Sequence, residues 1–172
     1  MKMRSIVSKI SLSIMLALGV MVSANAQTAT GKDLAGSAGL SENHTTLLAA
    51  LKAAGLADKA SAAGPFTVFA PDNAAFNKLP DGTVATLLKP ENKKMLSDIL
   101  LYHVVMGSVM SSDLKSGQVI TTVQGDKLTV RMKNGKVMLE DVKGGMSTVT
   151  LADIKATNGV VHSIDTVLMP GK

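Results

Sequence analysis

The sequence predicts an α+β fold in which helices come first along the chain and strands follow. Apolar residues recur at helical spacing over residues 47–56 and again over 83–101. From residue 104 onward, runs rich in valine, isoleucine and threonine take over, as is typical of strands. Two Asn-Gly pairs, at 134–135 and 158–159, lie between such runs. Because helices and strands do not alternate, a parallel α/β fold is not expected.

The first 26 residues have the three features of a secretory signal peptide. Lys2, Arg4 and Lys9 give it a positively charged start. Residues 10–22 form an apolar run, shorter than the about 20 residues that a membrane-spanning helix needs. Small residues at 24–26, Ala-Asn-Ala, then match what a signal peptidase recognises. We therefore predict export with cleavage after Ala26, and an uncleaved membrane anchor is the alternative.

The remaining residues, 27–172, have the length of one domain. The chain has no cysteine, so its core has to hold together without disulfides. The formal net charge is +5, but three basic residues belong to the predicted signal peptide and the others are scattered. A nucleic-acid-binding surface would show clustered basic residues and stacking aromatics. With one tyrosine, three phenylalanines and no tryptophan, the sequence does not indicate nucleic acid as a partner.

The first half of the chain is predicted to be mostly helical. A lead-in of small residues over 27–42 is expected to be flexible or partly ordered. Leucines and alanines over 47–56 then predict a helix that ends at Gly55. Residues 66–69 predict a short buried strand, which Pro71 ends. Asp72 or Asn73 can cap the short helix that follows, and two further helices are expected over 83–88 and 91–101, separated by Pro90.

The second half is predicted to consist of strands. The runs are 104–105, 118–123, 128–132, 136–139, 149–151 and 160–164. Asn134-Gly135 lies between the third and fourth of these runs and is the strongest short signal for a β-hairpin, because a type I′ turn needs positive φ at both central residues.

Three motifs in this order resemble the fasciclin, or FAS1, domain. The first is GPFTVFAPDNAAF at 64–76, the second is Tyr-His-Val-Val at 102–105, and the third is NGVVHSIDTVLMP at 158–170. The resemblance covers about residues 33–170, which we take as the domain. It implies a β-sandwich or wedge packed against several helices, and an extracellular or envelope setting that agrees with the predicted signal peptide.

The resemblance also implies a binding role. Members of the family act in adhesion to proteins, polysaccharides, matrix or cell surfaces, so we expect a binding module. Apart from the resemblance, we also expect a monomer and no cofactor or metal. The alternative is a carrier of a small apolar ligand such as a lipid or pigment, for which the 46% hydrophobic composition is the motive. A carrier needs an apolar cavity.

Four residues are candidates for the binding site. The resemblance implies that Asp153 and Ile154 contact a receptor, as is proposed for a similar Asp-Ile pair in some animal members, and that Tyr102 and His103 belong to an adhesion motif. Each pair also has a purely structural interpretation. Asp153 can cap a turn over a packed Ile154, and Tyr102 and His103 lie in an apolar run, where such side chains are usually buried and hydrogen-bonded.

No catalytic arrangement is evident in the sequence. A hydrolase triad would have to draw on His44, His103 or His162, and no GxSxG motif is present. HExxH, P-loop and dinucleotide-binding motifs are also missing. The sequence therefore predicts a protein that is not an enzyme.

Overall fold

The computed structural model describes residues 31–171, which contain six α-helices and seven β-strands. The helices are α1 (Leu34–Gly39), α2 (Thr45–Ala54), α3 (Ala57–Ala60), α4 (Asn73–Asn77), α5 (Thr83–Leu87) and α6 (Lys93–Tyr102). The strands are β1 (Phe66–Pro71), β2 (Val104–Met106), β3 (Val119–Thr121), β4 (Lys127–Lys133), β5 (Lys136–Glu140), β6 (Met146–Ala156) and β7 (Gly159–Ile164). Short 3-10 helices occur at Glu42–His44, Pro90–Asn92 and Ser111–Asp113. The predicted signal peptide lies outside the described residues.

The seven strands form one sheet in the order β2-β1-β7-β6-β5-β4-β3. β1 and β7 run parallel, and all other neighbours run antiparallel. The two end strands meet, because Val105 forms a bridge with Thr122 and the backbone N–H of Val123 donates to the carbonyl of Val104 at 2.8 Å. The sheet is thus nearly closed and carries helices on its outside, which confirms the predicted α+β class.

The sheet separates two hydrophobic cores. Successive side chains of a strand point to opposite faces, and in β1 Phe69 faces the inner core while Val68 and Ala70 face the outer one. The inner core takes apolar side chains from all seven strands and from Tyr102 at the end of α6. The outer core lies between the sheet and the helices, where Val161 of β7 packs with apolar side chains of all the helices except α3.

Two of the predicted chain reversals are present with the backbone that they require. Gly55 follows α2 with φ +68°, in the left-handed conformation that often ends a helix. Asn134 and Gly135 have φ values of +52° and +73°, and Lys133 pairs with Lys136 across them. The two-residue hairpin predicted at Asn134-Gly135 is therefore confirmed.

Helix α1 was not predicted, and it lies inside the lead-in expected over 27–42. The carboxylate of Asp33 accepts a hydrogen bond from the Gly36 N–H at 2.6 Å and caps the helix, and Leu34 and Ala38 are buried. Six residues are too few for a periodic pattern or for a helix that is stable alone. Burial in the outer core stabilises this segment, and composition does not report burial. Within residues 31–171, no helix is long and apolar enough to cross a membrane.

The opening and closing motifs of the sequence lie side by side in the fold. β1 and β7 pair along their length, beginning with Phe66 and Gly159. A Cβ atom on Gly159 would overlap the carbonyl oxygen of Phe66, so glycine is required at this close approach. Next to it, the side-chain amide of Asn158 donates to the carbonyls of Ala60 and Ala62, at 2.8 Å each. The turn between β6 and β7 thus ties the sheet to the segment that leads into β1.

Candidate binding sites

Tyr102, predicted as a binding residue, is fully buried at the end of α6. Its hydroxyl donates to the carbonyl of Lys127 at 2.9 Å and accepts from the N–H of Val142 at 3.2 Å. Burial raises the pKa of the hydroxyl to about 12, since desolvation disfavours the phenolate. The hydroxyl both donates and accepts, and it thereby joins the start of β4 to the loop after β5.

His103 is buried beside it, and both ring nitrogens have backbone partners. The N–H of Leu168 donates to Nε2 at 3.0 Å, so the ring proton lies on Nδ1, which donates to the carbonyl of Ile99 at 2.7 Å. Desolvation lowers the pKa of His103 to about 4, so the ring is neutral at physiological pH. His103 thereby links α6 to the C-terminal segment of the chain.

Asp153 lies in an irregular part of β6, where the pairing with β7 shifts register between Leu151 and Ile154. Its φ of +60° is unusual for a residue with a side chain. The carboxylate accepts hydrogen bonds from both the N–H and the hydroxyl of Ser111, the former at 2.7 Å. Its side chain remains 22% exposed, while Ile154 is half-buried against the outer core.

The side chain of His162 contacts the backbone of this irregular part of β6. The backbone N–H of Asp153 donates to Nδ1 of His162 at 3.1 Å, so Nε2 carries the proton and donates to the carbonyl of Val109 at 2.8 Å. The ring stacks on Phe69 with centroids 5.5 Å apart. Desolvation lowers the pKa of His162, so its 4.0 Å approach to the Asp153 carboxylate joins an anion to a neutral ring and is not an ion pair.

The structure does not bring the two predicted pairs together. Among residues 31–171, no hydrogen bond or ion pair joins Tyr102 or His103 to Asp153 or Ile154. Tyr102 and His103 hold core elements in place, whereas the side chain of Asp153 is partly exposed to solvent. A contact between a partner and Asp153 remains a prediction.

An apolar cavity of about 240 Å³ lies between the sheet and the helices. Leucines of α1, α2 and α6 line it together with β1, β2 and β7; examples are Leu34, Leu47, Leu101, Phe66 and Val104. Apart from Lys59 and His103, every lining residue is apolar. The cavity was not predicted from individual motifs, because it arises where seven elements meet, namely α1, α2, α3, α6, β1, β2 and β7. Most of its lining consists of apolar positions that any helix or strand would bury.

Three lining residues mark the mouth of this cavity. Lys59, Ala62 and Val123 are exposed, whereas most of the others are buried or half-buried. The mouth therefore lies between the end of α3 with the loop after it and the segment that follows β3. Lys59 forms no ion pair with any residue of 31–171.

The described part of the chain shows no metal centre. No group of three or more His, Asp or Glu residues within 31–171 is placed to hold a metal ion. Every buried side-chain nitrogen and oxygen among these residues has a hydrogen-bond partner. The buried polar groups thus have structural roles within the fold.

Comparison with known proteins identifies the family. The sequence model of the fasciclin domain matches residues 42–170. Protein sll1483 of Synechocystis sp. is 50% identical over 129 residues, which are 75% of this chain and 68% of that protein. The cell surface glycolipoprotein MPB83 of Mycobacterium bovis is 41% identical over 110 residues, 62% of this chain and 44% of that protein.

A solved structure shows the same fold. It is a FAS1 domain pair from the insect cell adhesion molecule Fasciclin I, with a TM-score of 0.72 and 17% sequence identity. The match covers 80% of this chain and 51% of that one. This likeness shows the fold, and the match of the fasciclin model over residues 42–170 shows that the chain belongs to the fasciclin domain family.

Proposed function

We propose that this protein is an exported, non-enzymatic binding module that holds a protein, polysaccharide or matrix component at the cell surface or in the envelope. The observation that carries the proposal is the fasciclin match over residues 42–170. Two relatives support it by their descriptions, one as a cell surface glycolipoprotein and the other as a cell adhesion molecule. The predicted signal peptide at residues 1–26 supports export.

The best candidate for a contact surface is the irregular part of β6. A β-bulge can re-aim a side chain, and here the irregular part of β6 contains both the Asp153 carboxylate and Leu151, which is 55% exposed. An apolar side chain next to a partly exposed acid suits a mixed polar and apolar interface. Tyr102 and His103 would support such a surface indirectly, by holding the core beneath the sheet.

The strongest candidate for catalysis in the described residues is His44 with Ser163, and it argues against an enzyme. Nε2 of His44 lies 3.0 Å from the hydroxyl of Ser163, the distance of a base from a nucleophile. Both residues are buried, and neither lines the apolar cavity. Nδ1 of His44 contacts the hydroxyl of Ser41 at 2.8 Å, where a triad would have a carboxylate. Because both residues are buried, we assign this pair to the core.

A retention experiment tests the binding function. The purified protein is immobilised and exposed to envelope and matrix fractions of its host, and retained components are identified by mass spectrometry. We expect Leu151→Glu to abolish retention and Val119→Glu to leave it intact, because Val119 is equally exposed, at 54%, but lies on β3. If the unaltered protein retains nothing, or if both variants behave alike, the proposed surface is wrong.

Export is tested separately. The protein is recovered from the envelope and from the medium, and its N-terminus is determined by mass spectrometry. A chain that begins at Gln27 supports cleavage after Ala26. A chain that still begins at Met1 supports the membrane-anchor alternative.

A second candidate function, carriage of a small apolar ligand, is favoured by the cavity of about 240 Å³. An apolar cavity of about 150 Å³ is large enough to bind benzene, so this one has room for a larger group. Because the chain has no tryptophan, binding of the neutral fluorescent probe N-phenyl-1-naphthylamine can be followed against a low background. Failure of this probe to bind would count against a carrier.

A further inference from the structure

We infer that the apolar cavity binds the chain of a single fatty acid, with the carboxylate of the ligand held at the mouth by Lys59. This inference rests on the second proposed function, carriage of a small apolar ligand, and names the class of that ligand. Its basis is the volume of the cavity, the hydrogen bonds already made by His103 in its wall and the positive charge of Lys59 at its mouth.

The size of the cavity favours one flexible chain. Sites for drug-sized ligands usually span about 300–1,000 Å³, whereas this cavity has about 240 Å³. A single alkyl chain can enter such a space end-on and leave its remaining methylenes at the mouth. A two-chain lipid would not fit without displacement of the helices.

The wall of the cavity excludes a polar group from its interior. His103 is the polar residue deepest in the lining, and both of its ring nitrogens are bound to backbone groups of Ile99 and Leu168. A ligand hydroxyl or carboxyl placed inside would therefore lose its hydrogen bonds to water and find none in exchange, which is costly. The polar end of a ligand has to remain at the mouth.

The positive charge of Lys59 at the mouth favours a ligand whose polar end is negatively charged. Lys59 is exposed, and its ammonium group forms no ion pair with any residue of 31–171. Its neighbour Asp58 is exposed and does not line the cavity. A lysine stem can lie along the apolar rim while its ammonium group stays in water. This arrangement attracts a carboxylate and repels a cationic head group.

Three ligands with the same twelve-carbon chain separate the contributions of tail and head. Dodecanoate and dodecyltrimethylammonium, below their micelle concentrations, and dodecanol, below its solubility limit, are titrated against the protein loaded with N-phenyl-1-naphthylamine. We expect all three to displace the probe, dodecanoate at the lowest concentration and the cation at the highest. Because an exposed charge pair is weak, we expect the concentration needed for half-displacement to be roughly fivefold lower for dodecanoate than for dodecanol.

Two pairs of variants locate the site. Lys59→Glu should reverse the order of dodecanoate and dodecyltrimethylammonium, whereas Lys52→Glu, an exposed lysine of α2 outside the lining, should not. Val104→Phe should weaken all three ligands at least tenfold by filling the cavity. Met106→Phe, two residues on and exposed, should not. Thermal unfolding of each variant shows whether the fold is retained.

The possible results distinguish failure of the fatty-acid inference from failure of the proposed carrier function. If neither probe nor ligand binds, the carrier function fails and the inference fails with it. If the three ligands bind equally and Lys59→Glu changes nothing, the carrier function stands and the selection of an anion is overturned. If Val104→Phe folds normally and binds as before, the ligands occupy another place.

Discussion

The three histidines of the chain, His44, His103 and His162, are all buried and hydrogen-bonded. In each of them desolvation lowers the pKa, because burial disfavours the charged ring. Their nitrogens connect elements that are far apart in the sequence, such as α6 with the C-terminal segment through His103. Protonation of His103 or His162 would replace an acceptor with a donor opposite a backbone N–H and break such a connection.

These shifts predict that acid destabilises the protein well above the pH at which carboxylates protonate. The unfolded chain binds a proton on each histidine near pH 6.5, whereas folded His103 does so only near pH 4. Stability should therefore be complete above pH 7 and fall as the pH drops from about 6.5 to 4, by about 3 kcal/mol for His103. Urea unfolding at pH 7.5 and 4.5 measures this loss.

A variant and an NMR titration assign the effect to the residue. His103→Gln, which does not titrate, should be less stable at pH 7.5 but should show a smaller loss toward pH 4.5. The ring resonances of His103 in the unaltered protein should keep their neutral form down to about pH 5. A ring that titrates near 6.5 in the folded protein would contradict the burial argument.

At Asp153, the structural and binding interpretations make separable predictions. Asp153→Ala removes two hydrogen bonds to Ser111 and should cost about 1–3 kcal/mol, since each bond to a charged acceptor is worth about 1.5 kcal/mol. Ser111→Ala removes only one of them. A double-mutant cycle followed by chemical denaturation should therefore show coupling of about 1 kcal/mol between the two residues. A coupling near zero would show that the observed contacts contribute nothing to stability.

Among the described elements, the β4–β5 hairpin is the one whose conformation depends most on its own turn residues. Its turn needs positive φ at two positions, and Asn134 and Gly135 are residues that tolerate this conformation. Gly135→Ala should therefore destabilise the protein by about 1 kcal/mol, as measured by the midpoint of thermal unfolding. Asn134→Gly, which keeps the turn accessible, should be close to neutral. Equal effects of the two substitutions would mean that the turn conformation does not limit stability.

The elements also show how far the sequence alone could predict the structure. The end of α2 at Gly55 and the hairpin at Asn134-Gly135 follow from the conformational freedom of one or two residues, so both were predictable. The positive φ of Asp153 was not, because it results from contacts with Ser111 and His162, which lie elsewhere in the chain. The apolar cavity was not predictable for the same reason, as its walls come from seven elements.

At the scale of the whole molecule, the pairing of β1 with β7 is the tightest contact between the two halves of the chain. Gly159→Ala would bring a Cβ atom into the carbonyl oxygen of Phe66, and backbone atoms on both sides have little room to move. We expect a loss of more than about 3 kcal/mol, or failure to fold, because overpacking against backbone is severe. Solubility and urea unfolding measure the effect.

Gly39→Ala provides the matched control for this substitution. Gly39 is the last residue of α1, and a Cβ atom there would meet only the side chain of Leu48 at an ordinary 3.5 Å. Because alanine has a higher helix propensity than glycine, this variant should be neutral or more stable by up to about 1 kcal/mol. If both alanine variants are tolerated equally, the close approach of β1 to β7 is not limiting.

The parallel pairing of β1 with β7 also sets the order in which the chain can fold. More than half of the chain separates Phe66 from Gly159, its partner across the two strands. Closing such a long loop is slow, and its entropic cost is offset only when the distant contacts form. Until β7 emerges, β1 has only the three-residue β2 as a neighbour, and the outer core lacks Val161. Completion of the fold is therefore a late kinetic event, because β1 and β6 cannot be joined in one sheet until β7 is available.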